Sequence, residues 1–151
     1  MMKKILALVL CLLMLGTCAL AESTRVEFGE TFYLMRPDDL EVVELGEEEA
    51  SEDMVYAATN DELEMYVWAY DMEELTAQEL YEMWQEDEYL TDIQTMTLGD
   101  GATYLTYEII DEGLGAVFAC GDGKYYDFIF YCQTDEALAE AQGILQSVAA
   151  I

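Results

Sequence analysis

A chain of 151 residues with 33 acidic side chains, five basic ones and no histidine has much of catalytic chemistry closed to it. Without an imidazole no Ser-His-Asp or Cys-His relay can be built, and zinc or copper sites that depend on histidine are excluded as well. A formal charge of −28 repels nucleic acid and anionic lipid heads, and it suits cationic surroundings.

Lys3 and Lys4 precede an apolar run over residues 5–15, and Ala19-Leu20-Ala21 forms an A-x-A cleavage site ahead of Glu22. This is the layout of a secretory signal peptide. The run is shorter than the ~20 apolar residues a membrane-spanning helix needs. Residues 1–21 are expected to be removed, leaving 22–151 as one secreted domain that buries roughly two-thirds of its unfolded surface. Leu15-Gly16-Thr17-Cys18 also resembles a lipoprotein box, although Thr17 stands where that motif wants Gly, Ala or Ser. The alternative is therefore a chain lipid-anchored at Cys18 to the outer face of the cell membrane. Without that lipid the mature chain inserts in no membrane. Its only basic residues are Arg25, Arg36 and Lys124, set against all 33 acids.

Residues 26–35 alternate loosely and are rich in Phe and Tyr, as in a strand or a hairpin bent at Gly29, and Pro37 ends them. A short strand is expected over 40–45. Residues 46–53 read as a solvated loop carrying Glu47, Glu48, Glu49, Glu52 and Asp53. Residues 54–59 and 63–70 read as a hairpin around Asn60-Asp61-Glu62. On the second of these strands Leu63, Met65, Val67 and Ala69 face one way and Glu64, Tyr66, Trp68 and Tyr70 the other, which fits a strand covered on both sides.

A helix is expected over 75–88. Thr76 and Glu79 form a capping box, Leu75 and Leu80 a hydrophobic staple, and Ala77, Leu80, Tyr81, Trp84 and Glu88 share a face. Four antiparallel strands then run across 93–132, joined at Gly99-Asp100-Gly101, Glu112-Gly113 and Gly121-Asp122-Gly123. Leu105, Tyr107 and Ile109 share one face, as do Tyr126, Phe128, Phe130 and Cys132. A last helix capped by Thr134 or Asp135 carries the stripe Leu138, Ala141, Leu145 and Val148.

That register sets Cys120 opposite Tyr125 and Cys132 opposite Gly113. The two thiols would then point to opposite faces roughly 20 Å apart, too far for a disulfide, which needs Cα atoms within about 7 Å. Two unpaired thiols are expected, with Cys132 a small buried hydrophobe.

The order of parts resembles the PsbP/DcrB-like families. The likeness rests on an early strand entering a Pro-containing turn (Phe32-Tyr33-Leu34-Met35-Arg36-Pro37), a strand hairpin, a capped helix (Leu75-Thr76-Ala77-Gln78-Glu79-Leu80), four strands, and a closing helix ending Ile144-Leu145-Gln146-Ser147-Val148. It implies an α+β fold in which an antiparallel sheet with a C-terminal four-strand meander is packed by two main helices, an α/β/α sandwich. It also implies a small exported or envelope-associated protein of the accessory or binding kind. No catalytic motif is carried over, because the shared positions are packing and turn residues.

Three function classes follow. The first is a secreted, non-catalytic binding or accessory protein that recognises a protein or a cationic ligand, with no resident cofactor. Its candidate surface is Tyr66, Trp68 and Tyr70, with Tyr104 on the same sheet, because aromatic residues give rigid contact area. The second is a low-affinity calcium-binding envelope protein using Glu47, Glu48, Glu49, Glu52 and Asp53, or Glu86, Asp87 and Glu88; oxygen ligands are abundant, but no EF-hand spacing occurs. The third is a carboxylate-dependent hydrolase, which needs two facing buried acids.

Overall fold

The computed structural model describes residues 22–98, 103–109, 112–120 and 122–151. The expected signal peptide lies outside them, as do the Gly99-Asp100-Gly101 turn and Gly121. In chain order the elements are β1 (Ser23–Phe28), β2 (Phe32–Pro37), β3 (Glu41–Val42), α1 (Glu47–Ser51), β4 (Met54–Thr59), β5 (Leu63–Asp71), α2 (Ala77–Gln85), β6 (Leu90–Thr97), β7 (Thr103–Ile109), β8 (Gly113–Ala119), β9 (Lys124–Cys132), α3 (Asp135–Gln146) and β10 (Ala149–Ala150). The fold is mixed α+β. A seven-stranded sheet runs β3-β4-β5-β9-β8-β7-β6 and a three-stranded sheet runs β1-β2-β10, and every pairing is antiparallel. Among the described residues no helix is long and apolar enough to cross a membrane.

Short-range chemistry accounts for most element boundaries. The Asn60 side-chain oxygen accepts from the backbone N–H groups of Glu62 (3.0 Å) and Leu63 (2.8 Å), closing the β4–β5 hairpin as an Asx turn. The Thr76 hydroxyl accepts from the Glu79 N–H, and the Glu79 carboxylate accepts from the Thr76 N–H at 2.9 Å. Thr134 caps α3 by accepting from Ala137 N–H. The β8–β9 loop turns on Gly123, whose φ of +80° costs a glycine little.

The structure departs from the sequence reading at several points. Residues 47–51 form the helix α1, because Glu and Ala are good helix formers and three glutamates fill its first turn, the end at which the helix dipole favours negative charge. The strand near 40–45 shrinks to Glu41–Val42. Helix α2 stops at Gln85: its last turn has no basic residue, and Glu86, Asp87 and Glu88 beyond it oppose the dipole. Ala77 is exposed, so the helix is anchored by Leu80, Tyr81 and Trp84. Gly113 belongs to β8, paired with Ile109 and Tyr131, and not to the turn. Strand β10 was not anticipated; it pairs with Tyr33 and Phe32 of β2.

The cysteine register is shifted by one residue. The Cys120 N–H donates to Lys124 C=O at 2.8 Å, so Ala119, not Cys120, faces Tyr125, and Tyr131 faces Gly113. A slip of one residue exchanges faces, and both thiols pack against the same core. Both are free and only half-buried.

That core lies between the large sheet on one side and the small sheet with α3 on the other. Phe128, Phe130, Leu34, Leu40, Leu63 and Met65 are fully buried there, each stabilising the fold by about 2–3 kcal/mol. Phe32 of the small sheet stacks on Phe118 of the large one at 5.1 Å, tying the layers together, and Tyr104 stacks on Phe118 within the large sheet at 4.3 Å. The opposite face carries a smaller cluster of Leu80, Tyr81, Leu105 and Val117 beneath α2. The Tyr81 hydroxyl donates to Thr103 C=O (2.6 Å) and accepts from Ala119 N–H (3.2 Å), fastening the helix where the β7–β8 ladder has ended.

Candidate functional site

Helix α2 covers the β7–β8 side of this second sheet face and leaves the β5–β9 side half open. Cross-strand register arranges that side in rows: Trp68 opposite Asp127, which is opposite Val117; Tyr66 opposite Ile129, which is opposite Gly115; and Tyr70 opposite Tyr125. Tyr66, Trp68, Tyr70, Tyr125 and Tyr131 are all half-buried. Ring centroids lie 5.9 Å apart for Tyr66 and Trp68, 6.1 Å for Tyr66 and Tyr131, 5.2 Å for Tyr70 and Tyr125, and 5.8 Å for Trp84 and Tyr125. Such contacts hold the rings as a stiff platform.

Asp127 sits in the middle of these rings. Tyr107, two strands away on β7, lies over Gly115 of β8, and its hydroxyl donates to Asp127 Oδ1 at 2.6 Å. A Cβ at position 115 would overlap Cζ and Cε2 of Tyr107, so the glycine is what lets the ring cross β8. Burial pushes the Asp127 carboxyl up to about 6, and the Tyr107 hydrogen bond opposes the rise. Tyr107 is raised strongly, first by burial and then by the Asp127 charge. Among the described residues no lysine or arginine acts on Asp127. Its second oxygen has no partner among the described residues and is not sealed from solvent.

Carboxylates border the platform. Glu52 and Asp53 act on Tyr70, Glu73 on Tyr125, and Glu64 and Glu112 on Tyr131, in each case raising the phenol after burial has done so. Asp53 and Glu73 have left-handed backbones, with φ of 66° and 45°, a conformation that costs non-glycine residues on the order of 1 kcal/mol.

The two residue sets singled out in the sequence therefore meet in part. Tyr66, Trp68 and Tyr70 share the face, and Glu52 and Asp53 reach its Tyr70 end. Glu47, Glu48 and Glu49 lie apart in the first turn of α1. Among the described residues no three Asp, Glu or Cys side chains gather as a metal site. Tyr104 does not belong to the face: it is 5% exposed and packs on Phe118 in the main core, because it lies three positions, an odd step, from Tyr107 on the same strand. Asp127, Tyr107, Tyr125, Tyr131 and Trp84 were not singled out. The available signal was Asp127 itself, a charge in the middle of the apolar strand Tyr125-Tyr126-Asp127-Phe128-Ile129-Phe130-Tyr131, where aspartate is disfavoured.

No protein-family model and no curated protein matches the chain.

Other concavities are less suited to recognition. A cleft of about 280 Å³ beside the end of α3 is lined by Asp92, Gln94, Glu108, Gln142 and Gln146 and floored by the buried Tyr104, Tyr107, Leu114 and Leu145. Its charged and amide side chains are all exposed, so none of these is desolvated and held ready for a ligand.

Proposed function

We propose that the mature chain is a secreted or envelope-associated, non-catalytic binding protein that engages a cationic partner through the half-open aromatic face of its large sheet. The observation that carries this reading is the charge inventory. Each of the three cations is already engaged within the chain: Arg25 with Glu27 at 2.8 Å and over the Tyr33 ring at 3.8 Å, Arg36 with the carbonyls of Leu40 and Pro37, and Lys124 with Asp71 at 3.0 Å. Lys124 also feels the bordering Asp53, but among the described residues no cation acts on Asp127 at the centre of the face, and the rings there can supply contact area and cation–π attraction. The resemblance in order of parts to the PsbP/DcrB-like families, which implies an α/β/α sandwich of the accessory kind, accords with this role. Among the described residues no second carboxylate acts on Asp127, which favours recognition over acid–base hydrolysis.

Calorimetric titration with a basic peptide at low and moderate salt tests the reading. Binding that weakens as salt screens the charges is expected, and no binding, or salt-independent binding, would overturn it. A calcium-specific rise in unfolding temperature beyond the effect of ionic strength would instead favour the calcium reading. The mass of the exported chain distinguishes cleavage ahead of Glu22 from a lipid on Cys18.

A further inference from the structure

We infer that Asp127 anchors a lysine side chain of a partner protein, with the ammonium on the open carboxylate oxygen and its methylenes across the Trp68, Tyr70 and Tyr125 rings. This rests on the recognition reading above and names the group recognised.

A carboxylate surrounded by aromatic rings is costly to keep charged unless a cation comes to it. Among the described residues Asp127 receives one side-chain hydrogen bond, from Tyr107 to Oδ1, and no ion pair. Tyr107 approaches from β7, Trp68 and Tyr70 from β5, and Tyr125 and Tyr131 from β9 itself; β8 offers Val117 and Gly115, and α2 offers Trp84. No positively charged residue is among them. What these neighbours do offer a cation is ring faces, which attract it more strongly as water is displaced.

The geometry favours lysine over arginine. A guanidinium fork pairs best with two carboxylate oxygens at once, and Tyr107 already occupies one. A compact ammonium needs only the other. It also favours a side chain presented by a protein over a free amine. The rows at Asp127 form an open sheet surface, and although Tyr107 also borders the Asp92–Gln146 cleft, Asp127, Trp68, Tyr70 and Tyr125 do not line it. A small amine would therefore keep most of its surface in water, whereas small-molecule sites enclose most of their ligand. A partner chain extends its contact along the rows and reaches the bordering acids.

The test is calorimetry of the full mature chain with oligolysine, oligoarginine of equal length and tetramethylammonium. It compares the native protein with Asp127→Asn and Trp68→Leu at pH 7.5 and pH 5. Asp127→Asn removes a desolvated charge and keeps an acceptor for Tyr107, so the fold survives, which circular dichroism checks. Oligolysine is expected to bind the native chain at pH 7.5 and to bind Asp127→Asn about tenfold more weakly. The native chain should lose a similar factor on going to pH 5 while the variant changes little. If Asp127→Asn matches native binding while Trp68→Leu loses it, the face binds but Asp127 is not the anchor, and only this inference falls. If both variants match native binding and only salt matters, the attraction is diffuse and the recognition face falls with it. Oligoarginine or tetramethylammonium binding as tightly as oligolysine would overturn the assignment to lysine.

Discussion

Tyr107 lies over Gly115 so closely that any side chain at 115 would collide with the phenol ring. The contact spans one strand and carries the Tyr107 hydroxyl to Asp127 on the next. The centre of the aromatic face therefore depends on a residue with no side chain.

Gly115→Ala is expected to destabilise the protein by about 1–3 kcal/mol, because the ring must shift within a packed cluster. It should also release the Tyr107 hydroxyl from Asp127. Urea unfolding measures the first effect and the carboxyl chemical shift of Asp127 the second. A variant as stable as the native chain would show that the ring moves away without cost.

Tyr107→Phe leaves the Asp127 charge without its donor. The carboxyl should titrate above its native value of about 6, and stability at pH 7.5 should fall by about 1–3 kcal/mol. Near pH 4.5, where Asp127 is protonated, the loss should be smaller. Equal losses at both pH values would assign the effect to packing.

Asp127 itself makes stability depend on pH in a stated direction. Its folded value, about 6, lies above its ordinary value of 3.8, so the folded chain holds the proton over a range in which the unfolded chain has released it. This contribution is fully present below the unfolded value and is lost as pH rises through about 6. Asp127→Asn removes the dependence. The variant should equal the native chain near pH 4 and exceed it by about 2 kcal/mol at pH 7.5, allowing for partial solvent screening. A constant difference across that range would rule the coupling out.

The two thiols should stay separate and slow to react. Lys124, opposite Cys120, is eight residues from Cys132 along β9, or about 26 Å at strand rise. Burial pushes Cys120 up to about 11 and raises Cys132 as well, which leaves little thiolate to attack a reagent. Alkylation at pH 8 should be slow at both sites in the folded chain and fast in urea, with no disulfide on a non-reducing gel. Rapid labelling of the folded protein at Cys120 would contradict its burial.

What the sequence determined by itself was local. The Asn60 turn, the Thr76–Glu79 capping box, the Thr134 cap and the turn at Gly123 each join residues two to four positions apart, so their partners can be read directly from the order of residues. The alternation of Leu63 to Tyr70 placed Tyr66, Trp68 and Tyr70 on a common side for the same reason. Only the tertiary structure decided what that side meets. The β5–β9 pairing joins residues about sixty positions apart, and face assignment reverses with a slip of one residue. A single shift at the β8–β9 loop thus moved both cysteines onto one core, and the register across four strands sent Tyr104 inward while bringing Tyr107 to Asp127. Aspartate in a strand is a local oddity in the sequence; that it sits among aromatic rings, with no cation beside it among the described residues, depends on strands that meet only when the chain has folded.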